Sequence, residues 1–220
     1  FLMFPVMLVV LLFMGNDPEI AGLWGSLVKM PEFHSIGALL VAAYFFLLAT
    51  FSGIPFSSFS REGKANIWFL RSLPISGRTA AMGKALAAEI MIVVGAVPGL
   101  AVLEYIARLP MTSLIIGVSL GIFSSYALCI WGVLLDMARP MLDWTDQQKA
   151  IKSNLNTAIG LVIGTVVLFL MGYPVYILFR RGYSGLVAQA ISGVIIAVVL
   201  AFGLKVLGVV GDRLWSSIEL

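Results

Sequence analysis

Ser57–Lys84 reads SSFSREGKANIWFLRSLPISGRTAAMGK, and its placement decides the fold. It is the one long stretch that is both basic and aromatic, and uncharged apolar runs flank it on both sides. An Arg or Lys near the centre of a bilayer costs about 2.5–3.5 kcal/mol, so such a segment cannot cross cheaply. It is predicted to lie at a membrane surface or beyond it. The rest of the chain then becomes a question of what that surface segment connects.

The 220 residues are 60% hydrophobic and 11% charged, with a mean hydropathy of +1.04. Soluble domains carry about 25% charged residues, which excludes a water-soluble globular reading. The useful unit is the transmembrane span of about 20 apolar residues. A net charge of +3 with no basic run gives no support for a nucleic-acid partner. The single cysteine, Cys129, lies in an apolar run, excludes an internal disulfide framework and reads as a small packing residue. Phe1 stands inside an apolar run without an initiator Met, a basic flank or a small-residue cleavage site. This reads as a chain beginning mid-helix, with sequence upstream, rather than as a signal peptide.

Phe1–Met14 is expected to be the end of a first span. Residues 15–35 form an acidic connection with Trp24 as an interfacial anchor. Further spans are expected over Ile36–Pro55, Ala85–Ile106, Met111–Leu135, Leu155–Phe179 and Leu186–Val210, leaving GDRLWSSIEL as a polar tail. Runs of this length without polar alternation choose helices over a barrel. The expected fold is all-α: one polytopic transmembrane helical bundle over residues 1–220, with about six spans and surface helices in two loops, 57–84 and 136–153. Arg61, Lys64, Arg71, Arg78, Lys84, Arg139, Lys149, Lys152 and Arg213 fall on one side, and Lys29, Arg108, Arg180 and Arg181 on the other. That bias places the two long loops and the C-terminus in the cytoplasm.

Gly77–Ala85, GRTAAMGKA, approaches a phosphate-binding loop but fails: the spacing is one residue too long and Ala85 replaces the required Ser or Thr. Nucleotide binding is therefore not expected of this chain. Gly95 with Gly99, Gly117 with Gly121 and Gly160 with Gly164 each flatten one helix face and are read as packing positions. Glu89 and Lys205 are expected to snorkel to the nearby face, and Glu104 is expected to pair with Arg108 four residues on. No span carries two acids near its middle, which speaks against an ion-coupled carrier, although a carrier or channel-like protein is the alternative reading. Pro98 is expected to kink the third span. A single histidine, His34, and no nucleophile–base or zinc spacing leave no basis for an enzyme or a metal site.

In the first loop Trp68, Phe69, Leu70 and Leu73 alternate with Arg61, Lys64 and Arg71, as in a helix lying along headgroups. Leu73–Gly77 must end that helix, because proline cannot continue it. In the second loop Arg139-Pro140 ends a span, and Asp143 or Thr145 can cap a new helix. Trp144 is expected at the interface or in a partner's pocket. Two charged, folded loops on one face read as a docking surface for a soluble protein, with a plain surface linker as the alternative.

SREGKANIWFLRSLPISGRTAAMGK closely resembles a segment of bacterial ABC-type export permeases whose ATPase is a separate polypeptide, and LLDMARPMLDWTDQQKAIKSNLN resembles a second segment of that family. The motifs are Ser60-Arg61-Glu62-Gly63-Lys64 and Ser72-Leu73-Pro74-Ile75-Ser76, then Asp136, Arg139-Pro140, Asp143-Trp144, Lys149, Lys152 and Asn154. The resemblance implies a permease in the bacterial inner membrane, paired with an ATP-binding subunit that holds the ATP and Mg. It also implies a second membrane half or a homodimer, and no cofactor in this chain. Partner contacts would be made by Ser60, Arg61, Glu62, Gly63, Lys64, Trp68, Arg71, Leu73 and Pro74, with Arg139, Asp143, Trp144 and Lys149 as the second group.

Overall fold

A computed structural model describes residues 33–144, 150 and 154–218. The expected first span, the acidic connection up to residue 32, Thr145, Lys149 and Lys152 lie outside the described residues. The described chain forms α1 (Phe33–Ser52), two 3-10 turns (Pro55–Ser57 and Ser60–Glu62) and α2 (Gly63–Ser72). It continues through α3 (Gly77–Ala107), α4 (Met111–Ala138), α5 (Leu155–Arg180) and α6 (Gly185–Ser217). There is no strand among the described residues. Five helices are long and apolar enough to cross a membrane, and α2 is not one of them. Backbone groups in such runs have no water to bond to, so the helix satisfies them internally.

The central element is α4, which packs against α1, α3, α5 and α6. Small residues along it allow this crowding. A Cβ on Gly117 would stand 2.7 Å from the Ala38 carbonyl oxygen, and one on Gly121 would stand 2.6 Å from the Phe45 ring. Gly160 and Gly164 of α5 face Phe56 and Thr50 in the same way, and on α3 Gly99 is buried and Gly95 half-buried. The least covered span is α5. Beside it open two apolar cavities, of about 500 and 390 Å³, whose walls share Phe46, Ser124, Met171 and Ile196.

Several sequence expectations are corrected. The third span begins at Gly77 rather than Ala85, and the sixth runs to Ser217 rather than Val210. The start of α3 is fixed by caps: the Ser76 hydroxyl accepts from the Thr79 amide (3.1 Å), and Asp212 accepts from the Arg78 amide (3.2 Å). At about 1.5 Å per residue α3 is roughly 46 Å long, well beyond a hydrocarbon layer of about 30 Å, so its first turns can carry Arg78 and Lys84. Glu89 does not snorkel; it is 5% exposed, between α3 and α4. Glu104 and Arg108 form no ion pair: Arg108 is the left-handed cap of α3 (φ 46°), and its side chain is exposed.

The start of α3 crosses the end of α6 backbone to backbone. A Cβ on Gly77 would collide with the Gly211 carbonyl and the Trp215 side chain, whereas one on Gly83 meets nothing within 4 Å. G77A is therefore expected to lower the thermal unfolding temperature of the purified protein, with a penalty of about 1–3 kcal/mol for overpacking. G83A, on an open stretch of the same helix, is expected to raise it, by about 0.5–1 kcal/mol.

Candidate functional site

The two loops singled out in the sequence meet at the end of α4, around Asp136. Asp136 is fully buried and its carboxylate accepts four hydrogen bonds. Oδ2 takes the backbone amides of Phe59 (2.6 Å) and Ser60 (2.9 Å). Oδ1 takes the Ser60 hydroxyl (2.5 Å) and the Asn156 amide (3.0 Å). Asn156 sits in the first turn of α5 and also donates to the Arg139 carbonyl (2.7 Å). One carboxylate thus joins the first loop, the end of α4 and the start of α5.

Ser60 closes the arrangement. Its hydroxyl accepts from the Met141 amide (2.8 Å), and its carbonyl accepts from the Trp144 indole (2.7 Å). The local chain is shaped for this: Ser57 and Ser58 donate to the carbonyls of Gly53 and Ile54 four residues back, which tightens the turn after α1. Gly63 then has φ +70°, and a Cβ there would stand 3.1 Å from the Trp144 ring. Only glycine meets both demands. Phe59, fully buried, stacks at 5.7 Å on Trp215 near the end of α6.

Above this latch lies α2. Ile67 is fully buried on its inner face, while Trp68 and Phe69 are 65% and 57% exposed. Leu73, whose extended backbone ends the helix before Pro74, is 39% exposed. Ion pairs flank the helix: Glu62 with Lys84 of α3, and Lys64 with Asp143 at 2.7 Å. A groove of about 550 Å³ runs between Glu62–Ala65 and Leu142–Trp144. Burial pushes the Arg61 guanidinium below its ordinary value, and the nearby charges of Glu62 and Asp136 oppose that. Arg71 donates to the carbonyls of Ile218 (2.8 Å) and Ser216 (3.4 Å), tying α2 to the end of α6.

The partner-contact residues named from the sequence therefore separate into two sets. Lys64, Trp68, Leu73, Pro74, Arg139 and Asp143 are exposed, and Arg61 and Glu62 are half-buried. Ser60 and Gly63 are buried and cannot touch another protein. Arg71 is exposed at its side, but its guanidinium is spent inside the chain. Trp144 is half-buried: its indole N–H donates to the Ser60 carbonyl, and the rest of the ring lines the groove. The helix that Asp143 or Thr145 is expected to cap, like Lys149, falls on residues outside the described ones. Sequence reasoning missed Asn156 and understated Asp136; the available signal was a lone acid and a lone amide at facing ends of two apolar runs.

No group of acidic, Cys or His side chains able to hold a metal occurs among the described residues. No family model, curated protein or solved structure matches this chain.

The latch and the surface ion pairs should respond differently to substitution. D136N keeps the shape but turns an amide toward donors it cannot accept from, leaving buried N–H groups unpaired at about 1–3 kcal/mol each. D136N is expected to lower the unfolding temperature sharply or abolish the folded yield. D143N breaks only an exposed pair and is expected to change stability by less than about 1 kcal/mol.

Proposed function

We propose that this chain is the membrane-spanning permease subunit of an ATP-driven exporter, and that a separate ATPase docks on the face formed by α2 and residues 139–144. The observation that carries this reading is the buried latch at Asp136. A helix merely resting on headgroups needs no such fastening. Here Phe59 and Ser60 bond the segment leading into α2 to Asp136 of α4, and through that carboxylate to Asn156 of α5. Glu62 and Arg71 fasten the same segment to α3 and α6. A push on α2 is therefore delivered to four membrane-length helices at once, which is what coupling to an ATPase requires.

The exposed side of α2 fits a protein partner. Trp68, Phe69 and Leu73 supply large apolar anchors, with the Lys64–Asp143 pair at their rim, and buried aromatic anchors carry most of the energy of protein interfaces. Arg61, Lys64, Arg71, Arg78, Lys84, Arg139 and Arg213 gather at this end of the bundle, which supports a cytoplasmic placement. In this reading ATP and Mg belong to the partner. The chain contributes the grip, the transmission and the bundle that changes shape, with a second membrane half completing the path. Tilting of the helices between inward- and outward-open states moves a substrate whose class the bundle alone does not name.

The test is affinity purification of the intact chain from its native membranes in mild detergent, with the co-purifying proteins searched for a Walker-type ATPase. The wild-type chain is expected to bring the ATPase with it. W68A/F69A is expected to lose at least ten-fold of that co-purification, a loss of about 1.4 kcal/mol or more, while its membrane yield and unfolding temperature stay unchanged. A wild-type chain that comes alone, or a double variant that retains its ATPase, overturns the proposal.

A further inference from the structure

We infer that Glu89 is a proton-binding site inside the bundle, held as a neutral carboxyl group between α3 and α4. The inference stands apart from the docking face and needs no ATPase. Glu89 is 5% exposed, and its Oε1 lies 2.6 Å from the Ser125 hydroxyl oxygen, its Oε2 3.5 Å from Cys129 Sγ. Ser125 Oγ also lies 3.0 Å from the Gly121 carbonyl and 3.2 Å from the Ile122 carbonyl.

Donor counting assigns the proton. Ser125 has one hydrogen and is fully buried beside three acceptors. An ionised Glu89 would draw that hydrogen to itself and would have only a thiol, a weak donor, for its second oxygen. A neutral Glu89 brings its own hydrogen: its O–H donates to Ser125 Oγ, and Ser125 donates to the Gly121 carbonyl, the usual backbone partner of a helical serine. Every polar atom is then satisfied without a buried charge.

Among the described residues no cation pairs with Glu89. The elements packed on α3 are α1, α4, α6 and the turn at Pro55–Ser57. From α4 the titratable groups are Cys129, Tyr126 next to the pair and, two turns further on, Asp136, which is occupied by its own four donors; among the described side chains of α1 there is Tyr44, whose hydroxyl donates to the Ala96 carbonyl (3.4 Å). On α6, Lys205 is exposed and Asp212 is at the start of α3, while the turn has no titratable side chain. On α3 itself, Lys84 pairs with Glu62, and neither Lys84 nor Lys205 forms an ion pair with Glu89. An unpaired charge in such a setting costs several kcal/mol. The seam between α3 and α4 therefore holds a proton when shut.

Infrared spectroscopy of the purified full chain tests this at about pH 7.5, well above the ordinary carboxyl range of roughly 3.9–4.3. The wild type is expected to show the C=O stretch of a protonated carboxyl. E89Q should lose it, and E104Q, which removes the other partly covered acid of α3, should keep it. S125A, which retains the acid but removes its partner, should shift the band, and this holds the inference open to refutation if E89Q does not fold. A wild-type spectrum without the band, a band lost in E104Q and kept in E89Q, or a band unmoved in S125A overturns the inference.

Discussion

A carboxylate at the end of an apolar helix must find donors or stay in water, and Asp136 finds four donors within the chain. The rest of this face follows from that need. The amides of Phe59 and Ser60 must both point at one side chain, which sets the turn after α1. That turn aims Gly63 at Trp144 and starts α2 in a fixed direction. Asn156 must reach the same carboxylate, which places the first turn of α5 against the end of α4. A buried acceptor of this kind is stabilising only when complete, because each donor left unpaired costs more than its bond contributes.

Two kinds of polar contact share this end of the bundle and do different work. The bonds around Asp136 are buried. The Lys64–Asp143 pair has side chains 48% and 84% exposed, and such a contact is weak and readily exchanged. A buried interior beneath an exposed rim is the build that the proposed docking of an ATPase would call for. Exposed aromatic side chains on α2 complete it, because their apolar area is available without any change inside.

The spans were legible because apolar runs of this length admit almost no other structure, and the helical bundle follows from Ile36–Pro55, Met111–Leu135 and their neighbours. The ends of the helices were less legible. Hydropathy stopped the sixth span at Val210, yet the chain stays helical to Ser217 because Gly211 and Trp215 still have Gly77 and Phe59 to pack against. The basic segment was visible as a unit, but not its division into a buried half and an exposed half. Ser60 and Gly63 look like any surface residues until Asp136 and Trp144 are brought to them from more than seventy positions away. Glu89 was misplaced for the same reason: its partners, Ser125 and Cys129, belong to the next helix, and no local pattern announces them.

The uneven covering of α5 has a mechanical consequence. At Asn154 and Asn156 the helix is pinned through backbone and side chain, and at Gly160 and Gly164 it rests on Phe56 and Thr50. Beyond that point Val167 and Leu168 still touch the core, but among the described residues the helix mainly borders the shared cavities. A rod clamped at one extremity swings most at the other, so a small rotation at the clamp becomes a wide sweep near Arg180, opening or shutting the hollow along its flank.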